Sequence, residues 1–150
     1  MRSLKMLFGL VAMTLVSSVT YTLVCYPQEL WRPYFIFVLG AVSLYCLFFV
    51  APLVALLDSR NWRSFTTFIT VLAAFTFTIF FMWNVSSYGS FTKYIYGGEV
   101  LVQDGAITAH GYFRSFVDSL ITALIASLGG LVLWLSALRT SQTPEKDGAA

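Results

Sequence analysis

Apolar positions along this chain fall into four long blocks separated by short polar stretches. The blocks cover residues 6–24, 34–57, 65–83 and 116–138. A helix needs about 20 mostly apolar residues to cross the hydrocarbon core of a bilayer. The first three blocks contain no Asp, Glu, Lys, Arg or His, and the fourth contains only Asp118, near its start. The pattern predicts four transmembrane helices in one membrane domain, residues 1–138, followed by a polar tail at 139–150 that is expected to be disordered.

Arg2 and Lys5 precede the first block, as they would in a secretory leader. The apolar run nevertheless continues through Val24, past the roughly 7–15 residues of a cleaved signal core, so the block is expected to be retained as a span. Pro52 lies late in the second block and is expected to kink it, because proline removes a ladder donor and crowds the preceding turn.

Within the blocks, small residues recur at intervals of four. The third carries Thr66, Thr70, Ala74 and Thr78. The fourth carries Ser115, Ser119, Ala123 and Ser127, beside Thr122, Ala126 and Gly130, and the first offers Thr14, Ser18 and Thr22. Apolar side chains gain little by leaving lipid for one another, so membrane helices meet through small residues that let backbones approach. These stripes are expected to be the seams of a four-helix bundle, with Phe68, Phe75 and Phe81 facing lipid or filling gaps. The same stripes could instead bind a second copy in a homo-oligomer, or line a solute path.

Residues 85–115 break the pattern, being long for a helix connection, which in bundles is usually about 2–8 residues. Asp104-Gly105 is a preferred two-residue hairpin turn, since both positions need positive φ. Folding about it pairs Gln103 with Ala106, Val102 with Ile107, Leu101 with Thr108, Val100 with Ala109 and Glu99 with His110. Alternation puts Val100, Val102, Ile107 and Ala109 on one apolar face. The other face is mixed, and Glu99, Leu101, Gln103, Thr108 and His110 on it are the candidate partner-binding residues. Tyr94 and Tyr96, before Gly97-Gly98, suggest a third strand hinged on those glycines. An isolated hairpin is marginal in water, so this one must lean on the bundle or meet a partner.

Composition narrows the class. The chain is 58% hydrophobic and 11% charged, whereas soluble domains carry about 25% charged residues. A net charge of +2, with no basic stripe, sets nucleic acid aside. Charge also orients the spans. If the N-terminus is cytoplasmic, that side holds Arg2, Lys5, Arg60, Arg63, Arg139 and Lys146, against Arg32, Lys93 and Arg114 outside. The positive-inside rule then puts both termini in the cytoplasm. Tyr26, Trp31, Tyr34, Trp83, Tyr88, Tyr112 and Phe113 fall where aromatic belts would be. A bacterial inner membrane is expected from the chain's size and simplicity.

Chemistry is sparse. His110 is the single histidine, too few for a bis-histidine haem or a zinc site. Cys25 and Cys46 form no CxxC and fall at different depths, about 18 Å apart along the spans, so no disulfide is expected. Asp118 is expected to pair with Arg114, four residues earlier on the same helix face. No phosphate loop or nucleophile elbow appears. The expectation is a protein without cofactor or catalytic residues, acting in the bilayer by binding another membrane or extracytoplasmic protein. It would be an accessory subunit or an immunity or exclusion protein. A small-solute channel component is the alternative, and an enzyme would draw on Glu99, His110 and Asp118.

Overall fold

The computed structural model describes residues 2–60 and 64–138. The expected disordered tail, and Arg63, Arg139 and Lys146 of the charge argument, lie outside the described residues. The fold is mostly helical. Helix α1 spans Arg2–Cys25. A 3-10 turn at Gln28–Leu30 leads into α2, Trp31–Tyr45, which continues through a π-turn at Cys46–Val50 into α3, Ala51–Ser59. Helix α4 spans Phe65–Tyr88. Three short strands follow, β1 at Tyr94–Tyr96, β2 at Glu99–Gln103 and β3 at Ala106–Ile107. Helix α5, Ala109–Leu133, ends in a second π-turn at Trp134–Leu138. Four helical stretches are long and apolar enough to cross a membrane: Leu4–Cys25, Gln28–Ser59, Phe65–Tyr88 and Ala109–Ser136.

The disturbance expected at Pro52 takes the form of the π-turn just before it. Proline cannot donate to the ladder and its ring crowds the carbonyl one turn back, and widening that turn relieves both. The π-turn at the end of α5 has no proline. There the Ser136 hydroxyl donates to the carbonyls of Val132 (2.7 Å) and Leu133 (3.2 Å), competing with the backbone for both acceptors.

The chain divides into two compact units, Met1–Leu72 with Ile125–Ala150, and Ala73–Leu124. In the first, α1 packs along α2 and against the Trp134–Leu138 turn. Gly129 of α5 lies so close to α1 that a Cβ there would overlap the Ser17 hydroxyl and come within 3.1 Å of the Met13 carbonyl. Its neighbour Gly130 receives Leu72 and Phe68 of α4 in the same way. Phe65 meets Trp134 edge to face at 5.1 Å. Between α1 and α2, Tyr26 stacks on Tyr34 at 4.5 Å, and the Trp31 indole donates to the Tyr26 carbonyl. Burial, with repulsion from Cys25 and Tyr34, pushes the Tyr26 phenol above its ordinary value.

In the second unit, Phe77 meets Phe116 edge to face at 5.3 Å, and the Asn84 amide donates to the Ser119 hydroxyl at 3.4 Å. Ser115 and Ser119 are fully buried, and each hydroxyl donates to the carbonyl one turn back in its own helix. Serine can therefore line an apolar seam without a stranded donor.

The seam of α5 runs through Gly111, Ser115, Ser119, Ala123, Ala126, Gly129 and Gly130, all buried, while Ser127 is half-buried. The seam of α4 corrects the expectation from spacing. Thr66, Thr70, Ala74 and Thr78 are all exposed, and Phe68, Leu72 and Thr76 are buried instead. The two sets are offset by two residues, about 200° around a helix, so they lie on opposite faces. Close approach needs one small surface, and α5 supplies it. At that contact α4 supplies the bulk, so Phe68 is core and takes the gap-filling role of the two expected for it.

The exterior is far more apolar than that of a water-soluble fold, and several hydroxyls lie within the mainly apolar interior. Ser17, Ser18, Thr22, Thr76, Ser115 and Ser119 are buried, while Leu4, Phe8, Ile36, Phe37, Phe48, Trp83 and Leu124 are among many large apolar side chains left exposed. Neither Cys25, which is exposed, nor Cys46, which is buried, is in a disulfide.

Candidate functional site

The three strands form one antiparallel sheet in the order β1-β2-β3, within the second unit. Two glycine-bearing turns make it. Gly97 and Gly98 have φ of 59° and 85°, and Asp104 and Gly105 have 52° and 76°. Each pair thus supplies the double positive φ of a tight hairpin turn. Tyr96 faces Glu99 across the first turn, and Gln103 faces Ala106 across the second. The register of the second hairpin, and a third strand before Gly97-Gly98, are as the sequence predicts.

Two features depart from simple alternation. The β1–β2 register jumps from Ile95 opposite Val100 to Tyr94 opposite Val102. Leu101 is the extra residue of that bulge. A bulge shifts the phase of the side chains, so Leu101 and Val102 are neighbours yet both fully buried. The second departure is at Thr108, where β3 stops. The Thr108 N–H donates to the Leu101 carbonyl at 3.0 Å, continuing the hairpin by one bond. Its hydroxyl accepts from the Gly111 N–H at 3.1 Å, and its carbonyl accepts from the Tyr112 N–H at 3.0 Å. Thr108 is therefore the N-cap of α5. The capped chain turns helical, so Ala109 and His110 lie in the first turn of α5 and not on a strand opposite Val100 and Glu99.

This junction holds the sheet to the helix. The Thr108 hydroxyl also donates to the Val100 carbonyl at 2.7 Å. Gly111 is buried against β2: a Cβ there would overlap the Leu101 carbonyl oxygen and lie 2.7 Å from Ile107 Cγ2. One turn later, the Arg114 guanidinium lies over the Tyr96 ring at 5.0 Å, and its Nε donates to Asp118 Oδ2 at 3.1 Å. The expected Arg114–Asp118 pair is present, with Tyr96 as a further partner. Tyr88 and Phe91 both stack on Tyr94, at 5.7 and 5.2 Å, holding β1 to the end of α4. The Gly105 N–H donates to the Thr92 carbonyl, joining the second turn to the residues before β1.

The five candidate partner-binding residues divide accordingly. Glu99, Gln103 and His110 are exposed. Leu101 is buried and Thr108 is committed to the cap, so neither presents a free side chain. Glu99 and His110 come together by a different route from the expected strand pairing, with Nδ1 to Oε2 at 3.9 Å. Both are largely exposed, and water screens a pair of that kind. Sequence reasoning did not single out the outward surface of β1. Ile95 and Tyr96 are half exposed, at 52% and 53%, beside exposed Phe91. β1 is a terminal strand, paired with β2 on one side only. Tyr96 and Glu99 close a two-residue turn, so the N–H and C=O of Ile95 point away from β2. The signal was the Tyr-Ile-Tyr run itself, which alternation alone cannot assign to an edge or a centre.

Comparison with protein-family models, with curated proteins and with solved structures finds no match for this chain.

Proposed function

We propose that this is an integral membrane protein that acts by binding another protein through its sheet, and that its working element is the free edge of β1. Support for the membrane placement comes from the apolar exterior: many exposed Phe, Leu and Ile along four helices of spanning length. In water that surface would aggregate, whereas lipid solvates it. The excess of Lys and Arg supports cytoplasmic termini, with the sheet on the extracytoplasmic side. A bacterial inner membrane fits a chain of this simplicity.

The observation that carries the binding reading is the terminal strand β1. Ring contacts of Tyr88 and Phe91 with Tyr94, and of Arg114 with Tyr96, hold it, while its outer side has no paired strand among the described residues. Exposed edges accept added strands, with main-chain bonds giving affinity and side chains such as Ile95 giving selectivity. Catalysis finds less support, because Asp118 is neutralised by Arg114 and the Glu99–His110 pair is open to solvent. The partner class is a membrane or extracytoplasmic protein with an extended segment to offer, as for an accessory subunit or an immunity or exclusion protein.

The test is a mild-detergent pull-down from native membranes comparing the wild-type chain with Ile95→Pro. Proline at this position removes an outward N–H without removing a β1–β2 bond. Loss of a defined partner with normal insertion supports the reading. An unchanged partner set, or none in either preparation, contradicts it.

A further inference from the structure

We infer that the groove between the end of α1 and the start of α2 holds an acyl chain of an anionic phospholipid whose phosphate pairs with Arg32. The inference rests on the membrane placement proposed above and concerns a different surface from the sheet. The groove has a volume of about 460 Å³ and is walled by Val19 and Leu23 of α1 and by Trp31, Phe35 and Ile36 of α2, with Arg32 in the lining. That volume is in the range of small-molecule sites, roughly 300–1,000 Å³.

Its polar groups are already used, with one exception. The Thr22 hydroxyl donates to the Ser18 carbonyl at 2.8 Å, and the Trp31 indole to the Tyr26 carbonyl at 2.9 Å. Neither is free to orient a ligand. Arg32 is exposed and makes no ion pair among the described residues, although Glu29 is one turn before it. An apolar trough with a single unpaired guanidinium is complementary to an amphiphile with an anionic head. A guanidinium offers phosphate two parallel N–H donors, which a zwitterionic choline headgroup partly offsets with its own cation. Tyr26, in the connection between α1 and α2, stacks on Tyr34 of α2, and both are residue types suited to the headgroup level.

The experiment is native mass spectrometry of the full chain released from nanodiscs of equal phosphatidylglycerol and phosphatidylcholine. One phosphatidylglycerol retained per chain is expected. Arg32→Gln should lower that retention about tenfold, the loss of one charge-assisted contact. Val19→Phe, which fills the trough and keeps the charge, should lower it too, and Lys93→Gln should not. Equal retention of both lipids, or wild-type retention by Arg32→Gln and Val19→Phe, would overturn the inference. Loss with Arg32→Gln alone would also overturn it, since a headgroup would then bind without its chain in the groove. A chain that enters no nanodisc would overturn the membrane placement itself, a result separable from all of these.

Discussion

Gly111 is the residue on which the junction of sheet and helix turns. Its backbone lies against the Leu101 carbonyl, which is itself held by the Thr108 N–H, so a side chain there has nothing soft to push aside. Gly111→Ala is expected to cost about 1–3 kcal/mol, read as faster hydrogen exchange at Thr108. Thr108→Ala should be milder, about 1 kcal/mol for a lost N-cap. Its signature is local: the Gly111 amide loses its acceptor, while the Tyr112 amide keeps the Thr108 carbonyl. Ser18 makes a prediction of opposite sense. Its hydroxyl is fully buried and finds no hydrogen-bond partner among the described residues. Ser18→Ala removes a donor that earns nothing, so thermal stability in detergent should hold or rise. A clear loss there would mean that the hydroxyl has a partner in the assembled membrane.

At the scale of elements, Gly129 and Gly130 let α5 approach two helices at once, but their neighbours differ. Gly129 faces the short Ser17 side chain and, behind it, the Met13 carbonyl, whereas Gly130 faces the far end of the Leu72 side chain. Gly129→Ala should therefore lower the melting temperature in detergent more than Gly130→Ala, and equal shifts would contradict the contact. What could be read from sequence follows physical rules of differing reach. The four long apolar helices were legible because each is a long run almost free of charge. The Asp104-Gly105 turn was legible because positive φ selects Gly and Asp, and Gly97-Gly98 was legible as a hinge. The start of α5 was not, because Thr108 suits a strand as well as a cap, and only the Gly111 approach decides between them. The Leu101 bulge leaves no mark in an alternating pattern. The buried face of α4 was misread because small residues reveal a possible seam, not whether the bulk of Phe68 and Leu72 will find a small surface on α5.

For the whole molecule, stability and function make separate demands. Under the proposed membrane placement lipid solvates the helices, and the small residues of α5 let neighbouring backbones approach. The sheet is too small to stand alone, and the bonds of Thr108, the packing of Gly111 and the ring contacts of Tyr94 and Tyr96 fasten it to α4 and α5. So much reinforcement leaves β1 ordered while its outer edge stays unpaired, which is the basis of the binding proposal. The most direct test is photo-crosslinking in native membranes from a probe at Ile95, with a second probe at Gly40, an exposed helix position with open space around it. A discrete protein adduct is expected from Ile95, lost when Tyr96→Pro disrupts the β1–β2 pairing, and only lipid adducts are expected from Gly40. Lipid adducts alone from both positions would contradict the binding proposal.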